Sequence, residues 1–222
     1  METMEAILTR RSIRRWQDKP VPEDLLNQIL EAGRWSPSAG NYQPWAFIVV
    51  QKPETKHRIQ VVAEESKNLS RVWSPQYRDG GRRGYIQELS TMPLGIAIFA
   101  DQRKAPPHTD GEHGHIVSAS MAAQNMWLAA HALGLGACLW SHMIADKMRA
   151  ILGMPIHWDF VGLLGIGYTL DEGSPEGYDT TQEKLWQRKP LEDVTHYDWY
   201  GVAKDEDIPQ DKLDILKKYL DL

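Results

Sequence analysis

Apolar positions along the chain follow two patterns: helical spacing in some stretches, uninterrupted runs in others. Pro20-Val21-Pro22-Glu23-Asp24 sets a proline at a first helical position with acids in the first turn, which marks a helix start. Leu25, Leu26, Ile29 and Leu30 continue at helical spacing, and the helix stops near Trp35-Ser36-Pro37, because Pro37 disfavours helical geometry in the residue before it. Upstream, Glu2 to Arg10 reads as a short helix with Ile7 and Leu8 facing inward. Trp45 to Val50 and Gly95 to Ala100 are short apolar runs with β-branched residues, hence buried strands. Residues 54 to 90 read as helical pieces around an interruption from Ser74-Pro75 to Gly84. Ile116 to Leu133 is a long helix rich in alanine, suited to close packing at the centre, and Gly134 and Gly136 end it. Ala137 to Trp140 is a strand, Ile144 to Leu152 a helix, and Phe160 to Ile166 another strand.

Between these elements, Gln102 to His115 is polar, carries Pro106-Pro107, and reads as a mobile loop. From about Thr180 the chain is polar and extended, and it ends in a helix whose Leu213, Leu216 and Leu220 need a cover. With few strands and many helices, the fold class is α+β, a central sheet flanked by helices. The 222 residues suit one domain over 1–222, with 180–222 as an extended tail and terminal helix.

Composition narrows the function. At 42% hydrophobic and 25% charged residues the chain is an ordinary globular protein. A net charge of −5 argues against a general nucleic-acid binder. No apolar run reaches membrane-spanning length, so no membrane association is expected. Met1-Glu2-Thr3-Met4-Glu5 lacks the basic start of a signal peptide, and the expected location is cytoplasmic. The single cysteine, Cys138, excludes an intrachain disulfide and reads as an inert buried thiol.

Two stretches could carry chemistry. Arg10-Arg11-Ser12-Ile13-Arg14-Arg15 gathers four arginines and a hydroxyl after a helix. Guanidinium forks bind phosphate, although the same residues could form a solvated basic turn. Ser36-Pro37-Ser38-Ala39-Gly40-Asn41-Tyr42-Gln43-Pro44-Trp45 lies between a helix and a strand. Its small residues admit a ligand close to the backbone, and Asn41 and Gln43 add donors and acceptors; alone it could be an ordinary connection. His108, Asp110, Glu112, His113 and His115 have metal-ligand chemistry, but nothing in a Pro/Gly loop fixes their geometry, and no metal site is expected.

The basic stretch and the Ser36–Trp45 stretch together resemble the nitroreductase family of FMN-dependent oxidoreductases. Three further stretches fit the family in order. They are Ala123 to Ala130 leading into Gly134-Leu135-Gly136, then Leu152 to Pro155 with Gly165 to Tyr168, then Arg188-Lys189-Pro190-Leu191. The likeness spans roughly Arg10 to His196.

The resemblance implies a mainly antiparallel sheet and a homodimer with FMN at the subunit interface, the C-terminal extension wrapping the partner. By carry-over, Arg10, Arg11, Ser12 and Arg14 hold the flavin's phosphate and polar edge, and Arg188 also reaches the phosphate. Pro37, Ser38, Ala39 and Asn41 come from the other subunit. Leu139, Trp140 and Ser141 pass the ring with their backbone. Arg14 is the candidate to stabilise the reduced flavin's negative N1 and O2 edge.

The implied activity moves electrons from NADH or NADPH through flavin N5 to a small acceptor such as a nitroaromatic or quinone, in a ping-pong cycle. It demands no catalytic side chain. Relatives place substrate-covering elements where this chain has Trp73, Tyr77, Tyr85, Arg78, Arg82 and Arg83; a surface hairpin or helix is the alternative. Rival readings are a specialised relative that dehalogenates, desaturates or breaks down a flavin, and a flavin-binding or storage protein without turnover. A structural dimer with a degenerate site is a third, which the intact basic stretch argues against.

Overall fold

A computed structural model describes residues 1–73, 89–104, 113–170, 188–204 and 206–220. The elements in chain order are α1 (Thr3–Thr9), α2 (Glu23–Arg34), β1 (Trp45–Val50), α3 (Pro53–Trp73), β2 (Leu94–Asp101), α4 (Gly114–Ala132), β3 (Gly136–Trp140), α5 (Ala145–Leu152), β4 (Trp158–Gly167) and α6 (Gln210–Leu220). The four strands form one sheet in the order β1-β2-β4-β3, every neighbouring pair antiparallel. The α+β class and the antiparallel sheet are as expected.

The apolar strands become the middle of three layers. All eight residues of β2 are buried, which explains its unbroken apolar run: both faces are covered. Ile96, Ile98 and Ala100 join Leu26, Ile29, Ala123 and Met126 of α2 and α4 in one core. Ala97 and Phe99 join Ile59 and Val62 of α3 and Met148 of α5 in the other. The period-two alternation of a strand thus feeds two cores at once. On α4, Ala119, Ala122, Ala123 and Ala130 are buried, and their small side chains let the helix lie close on its neighbours. Gly134, at φ +78°, turns the chain out of α4 in the left-handed conformation that glycine adopts without strain.

Several expectations need correction. Pro22 caps α2 rather than opening it, and the helix starts at Glu23. Ile7 and Leu8 of α1 face outward, at 46% and 66% exposure, while Ala6 is the buried residue. The seven-residue helix uses its one alanine as the contact, and Ile7 and Leu8 fall roughly 100° and 200° further round. Gly136 is the first residue of β3 rather than a helix stop. His115 is not in a loop: α4 begins at Gly114, and His115 is buried with its Nε2 2.7 Å from Asp159 Oδ2. Tyr77, Tyr85, Arg78, Arg82, Arg83, His108, Asp110, Glu112 and the start of the tail at Thr180 lie outside the described residues.

Met1–Gly177 and Tyr178–Leu222 form two compact units. The sheet and its helices belong to the first. In the second, Val202 is buried, the Tyr197 amide donates to the Val202 carbonyl at 3.0 Å, and Lys212 Nζ of α6 donates to the Tyr200 carbonyl at 3.2 Å.

Candidate active site

The basic segment is held as an extra extended edge beside β3. Ser12 bridges Ala137 in parallel sense, and the Ile13 amide donates to the Ala137 carbonyl at 3.0 Å. Further on, Trp16 bridges Thr169 and the Gln17 amide donates to the Tyr168 carbonyl at 2.9 Å. Trp16 is the anchor. Its indole N–H donates to the Gly136 carbonyl at 2.9 Å, and its ring meets Trp140 edge-on at 5.9 Å.

Both rings lie over glycines of β4. A Cβ at Gly165 would sit 2.7 Å from Trp140 and 3.0 Å from Trp16, and one at Gly167 would sit 2.9 Å from Trp16. These stiff rings cannot yield as a flexible chain end would, so Gly165→Ala is expected to cost about 1–3 kcal/mol. That lowers the thermal midpoint by several degrees in a calorimetric scan of the purified protein, since about 1 kcal/mol moves a chain of this size by 2–4 °C. An unchanged midpoint would show that the rings are not fixed there.

The cations of this segment line up along β3 and the end of α4. The Arg10 guanidinium stacks on the Trp127 ring at 4.1 Å. Arg11 Nη1 donates to the Leu8 and Arg10 carbonyls at 2.7 and 2.9 Å, and Arg14 Nη1 to the Ser12 carbonyl at 3.3 Å. Arg10, Arg11, Ser12 and Arg14 are all half-buried. Burial pushes the Cys138 thiol up to about 11; Arg14, the Ser12 hydroxyl and Arg10 pull it down and lose. Cys138 therefore stays a neutral thiol near neutral pH, as its apolar strand suggested. At the C-terminal end of α4, His131 is held below the ordinary histidine value by burial first, then by Arg10 and Arg11, with Glu5 opposing.

The second half of the expected site rests on another part of the same helix. Asn125 Nδ2 donates to the buried Ser36 hydroxyl at 2.7 Å, fixing the root of the loop. The Asp101 amide donates to the Pro44 carbonyl at 2.8 Å and fixes its far end. Between these pins the Gln43 amide donates to Ser38 Oγ at 3.0 Å. Asn41 and Gln43 hold φ of +56° and +47°, a conformation costly for residues with a side chain. Pro37, Ala39 and Asn41 are exposed and Ser38 is half-buried.

Asn125 and Trp127 are two residues apart, roughly 200° around a helix. The loop and the basic segment thus dock on different faces of α4. Leu139 and Trp140 close β3 half-buried, with Ser141 exposed just beyond. Arg188 is exposed and lies in the second unit.

Trp16 and His131 are contributors that residue patterns did not single out, while Asn125 and Trp127 fall in the Ala123–Ala130 stretch without being read there as site residues. Trp127 and His131 carry one faint signal, an i, i+4 pair on an alanine-rich helix. Among the described residues no three His, Cys, Asp or Glu side chains gather as a metal site, and no helix is long and apolar enough to cross a membrane.

The profile of the Nitroreductase family matches residues 7–168 of this chain. An NADH dehydrogenase of Thermus thermophilus is 29% identical over 205 residues, covering 79% of this chain and 90% of that protein. Iodotyrosine deiodinase 1 of Rattus norvegicus is 30% identical over 181 residues, covering 75% of this chain and 62% of its own length. An FMN-dependent nitroreductase of Clostridium difficile superimposes with a TM-score of 0.64 at 25% identity, covering 89% of this chain and all of the other.

Proposed function

Because the chain belongs to the nitroreductase family, we propose that it is an FMN-dependent oxidoreductase. It draws electrons from NADH or NADPH and passes them to a small organic acceptor such as a nitroaromatic or a quinone. The observation that carries this reading is the basic segment docked along β3, which brings Arg10, Arg11, Ser12 and Arg14 there, all half-buried. Guanidinium forks and a hydroxyl on one segment suit a terminal phosphate dianion, and a further arginine on it suits the ring's polar edge. They fit FMN, and the chain lacks the glycine fingerprint of a dinucleotide fold.

A bound flavin supplies the hydride-accepting N5, so a side-chain nucleophile or base is not required. The protein's part is placement and charge. Arg10, Arg11 and Ser12 would hold the phosphate end, and the family likeness adds Arg188 to them. Arg14 would stand toward the N1 and O2 edge, where its charge would favour the reduced, negative ring. The backbone of Leu139, Trp140 and Ser141 would pass the ring. Pro37, Ser38, Ala39 and Asn41 cover it from a second copy of the chain, so the working form is a homodimer. In the dimer so proposed, the described part of the tail, from 188 on, would lie across that partner.

The similarity to NADH dehydrogenase supports a nicotinamide donor, and the similarity to a deiodinase supports reductive dehalogenation as the second reading. Purified protein is expected to be yellow and, after heating, to release FMN on chromatography; FAD as the main species would overturn the assignment. Anaerobic NADH or NADPH should bleach the colour. Nitroaromatic, quinone and halophenol acceptors, tested in turn, should then separate the two readings. Colour that persists under both nicotinamides would point instead to flavin storage.

A further inference from the structure

His131 stands where the basic segment leaves α1. Its Nε2 lies 2.8 Å from Thr9 Oγ1, and Thr9 is the last residue of α1, directly before Arg10. One turn earlier on α4, Trp127 carries the Arg10 guanidinium. Trp127 and His131 thus form a two-rung ledge that sets where the arginines begin.

The hydrogen inventory fixes the tautomer. Thr9 has one hydroxyl proton, and Oγ1 places it on the Glu5 carbonyl at 2.6 Å. The contact with His131 is therefore a donation from Nε2–H to Thr9 Oγ1. Neutral His131 keeps its proton on Nε2, and Nδ1 is the atom that gains one.

We propose that His131 is a positioning residue for the flavin phosphate and that it takes up a proton when the phosphate binds. The inference rests on the flavin reading given above. The charged groups acting on His131 are Arg10 and Arg11 from the following segment and Glu5 from α1. With no anion present, burial and the two arginines disfavour a further positive charge, and the imidazole is neutral at pH 7. A phosphate dianion on Arg10 and Arg11 cancels that repulsion. His131 then titrates at higher pH, and binding is linked to proton uptake at Nδ1. By linkage, a tenfold gain in the proton affinity of His131 on binding gives up to a tenfold gain in FMN affinity at acid pH.

The test is FMN binding to the whole protein at pH 6 and pH 8.5, followed by flavin fluorescence, for wild type and His131→Gln. Glutamine can still donate to Thr9 but takes up no proton, so the wild-type to H131Q affinity ratio at pH 8.5 serves as the reference. At pH 6 that ratio should move several-fold in favour of wild type. The second phosphate proton, with pKa about 6, weakens binding on the acid side equally in both proteins and cancels in the ratio. Riboflavin, which lacks the phosphate, should give a ratio that does not change with pH.

A wild-type to H131Q ratio for FMN equal at both pH values overturns the proposal, as does a riboflavin ratio that changes as the FMN ratio does. Should H131Q fold poorly, proton NMR of the His131 ring in wild type decides: its titration must move to higher pH on adding FMN, and an unmoved titration overturns the proposal. Wild type that binds no FMN at any pH overturns the flavin reading itself, and the inference with it.

Discussion

Replacing Arg10 and Arg14 together with alanine is expected to weaken FMN binding by two orders of magnitude or more. Each arginine is proposed to offer charge-assisted hydrogen bonds, which typically contribute about 1.5–3 kcal/mol. About 1.4 kcal/mol is a factor of ten, so the two losses multiply to roughly a hundredfold or beyond. The sum is not strictly additive, because the residues share one ligand.

Arg10 has a further part: its stack on Trp127 at 4.1 Å keeps the guanidinium in place before the ligand arrives. Arg10→Lys keeps the charge but loses the planar fork and most of the stack, and should fall between wild type and alanine. Arg188→Ala alone should weaken binding about tenfold or more, by the same hydrogen-bond magnitude. Equilibrium titration at fixed ionic strength measures each. An unaltered dissociation constant in R10A/R14A, with a normal thermal midpoint, would remove the basic segment from the site.

What could be read from residue order and what could not divide along a physical line. The strands were legible because their burial is continuous: β1 spans Trp45–Val50 as its apolar run predicts, and β2 extends Gly95–Ala100 by one residue at each end. The basic segment was legible because four arginines so close together are conspicuous whatever covers them. Contacts between distant residues were not legible. Trp16 reaches Gly136 across 120 residues, Thr9 meets His131 across 122, and Asn125 pins Ser36 across 89. None of these pairs leaves a local pattern. The same holds for Ile7 and Leu8: amphipathic spacing shows that a helix has an apolar side, and only docking shows which side the molecule buries.

Val117→Glu with Met121→Glu on α4 is expected to give a monomer that holds no FMN. Val117 is 56% exposed and Met121 37%, one turn apart on the helix that otherwise forms the core. On α1, Met4, Ile7 and Leu8 stand 63%, 46% and 66% exposed. Apolar side chains left exposed on α4 and on α1 are what an interaction face would cover. Asn125 sends the Pro37–Asn41 loop off one face of α4, while Trp127 and His131 hold the basic segment on another. On the proposed arrangement the loop covers the flavin held by the second copy.

Obligate interfaces bury upwards of about 2,000 Å² in total, and two carboxylates forced into such a face without partners cost several kcal/mol. Dissociation and flavin loss should therefore appear together in sedimentation followed at the flavin absorbance. The tail makes a separate claim within the same experiment. Leu191, Val194 and Tyr200 are 75%, 56% and 80% exposed, and on the proposed arrangement the partner covers them. Truncation after Pro190 should then also release monomer and flavin. A flavin-loaded V117E/M121E monomer would break the link between dimer and site. A truncated dimer with full flavin occupancy would leave the dimer standing and confine the tail to its own subunit.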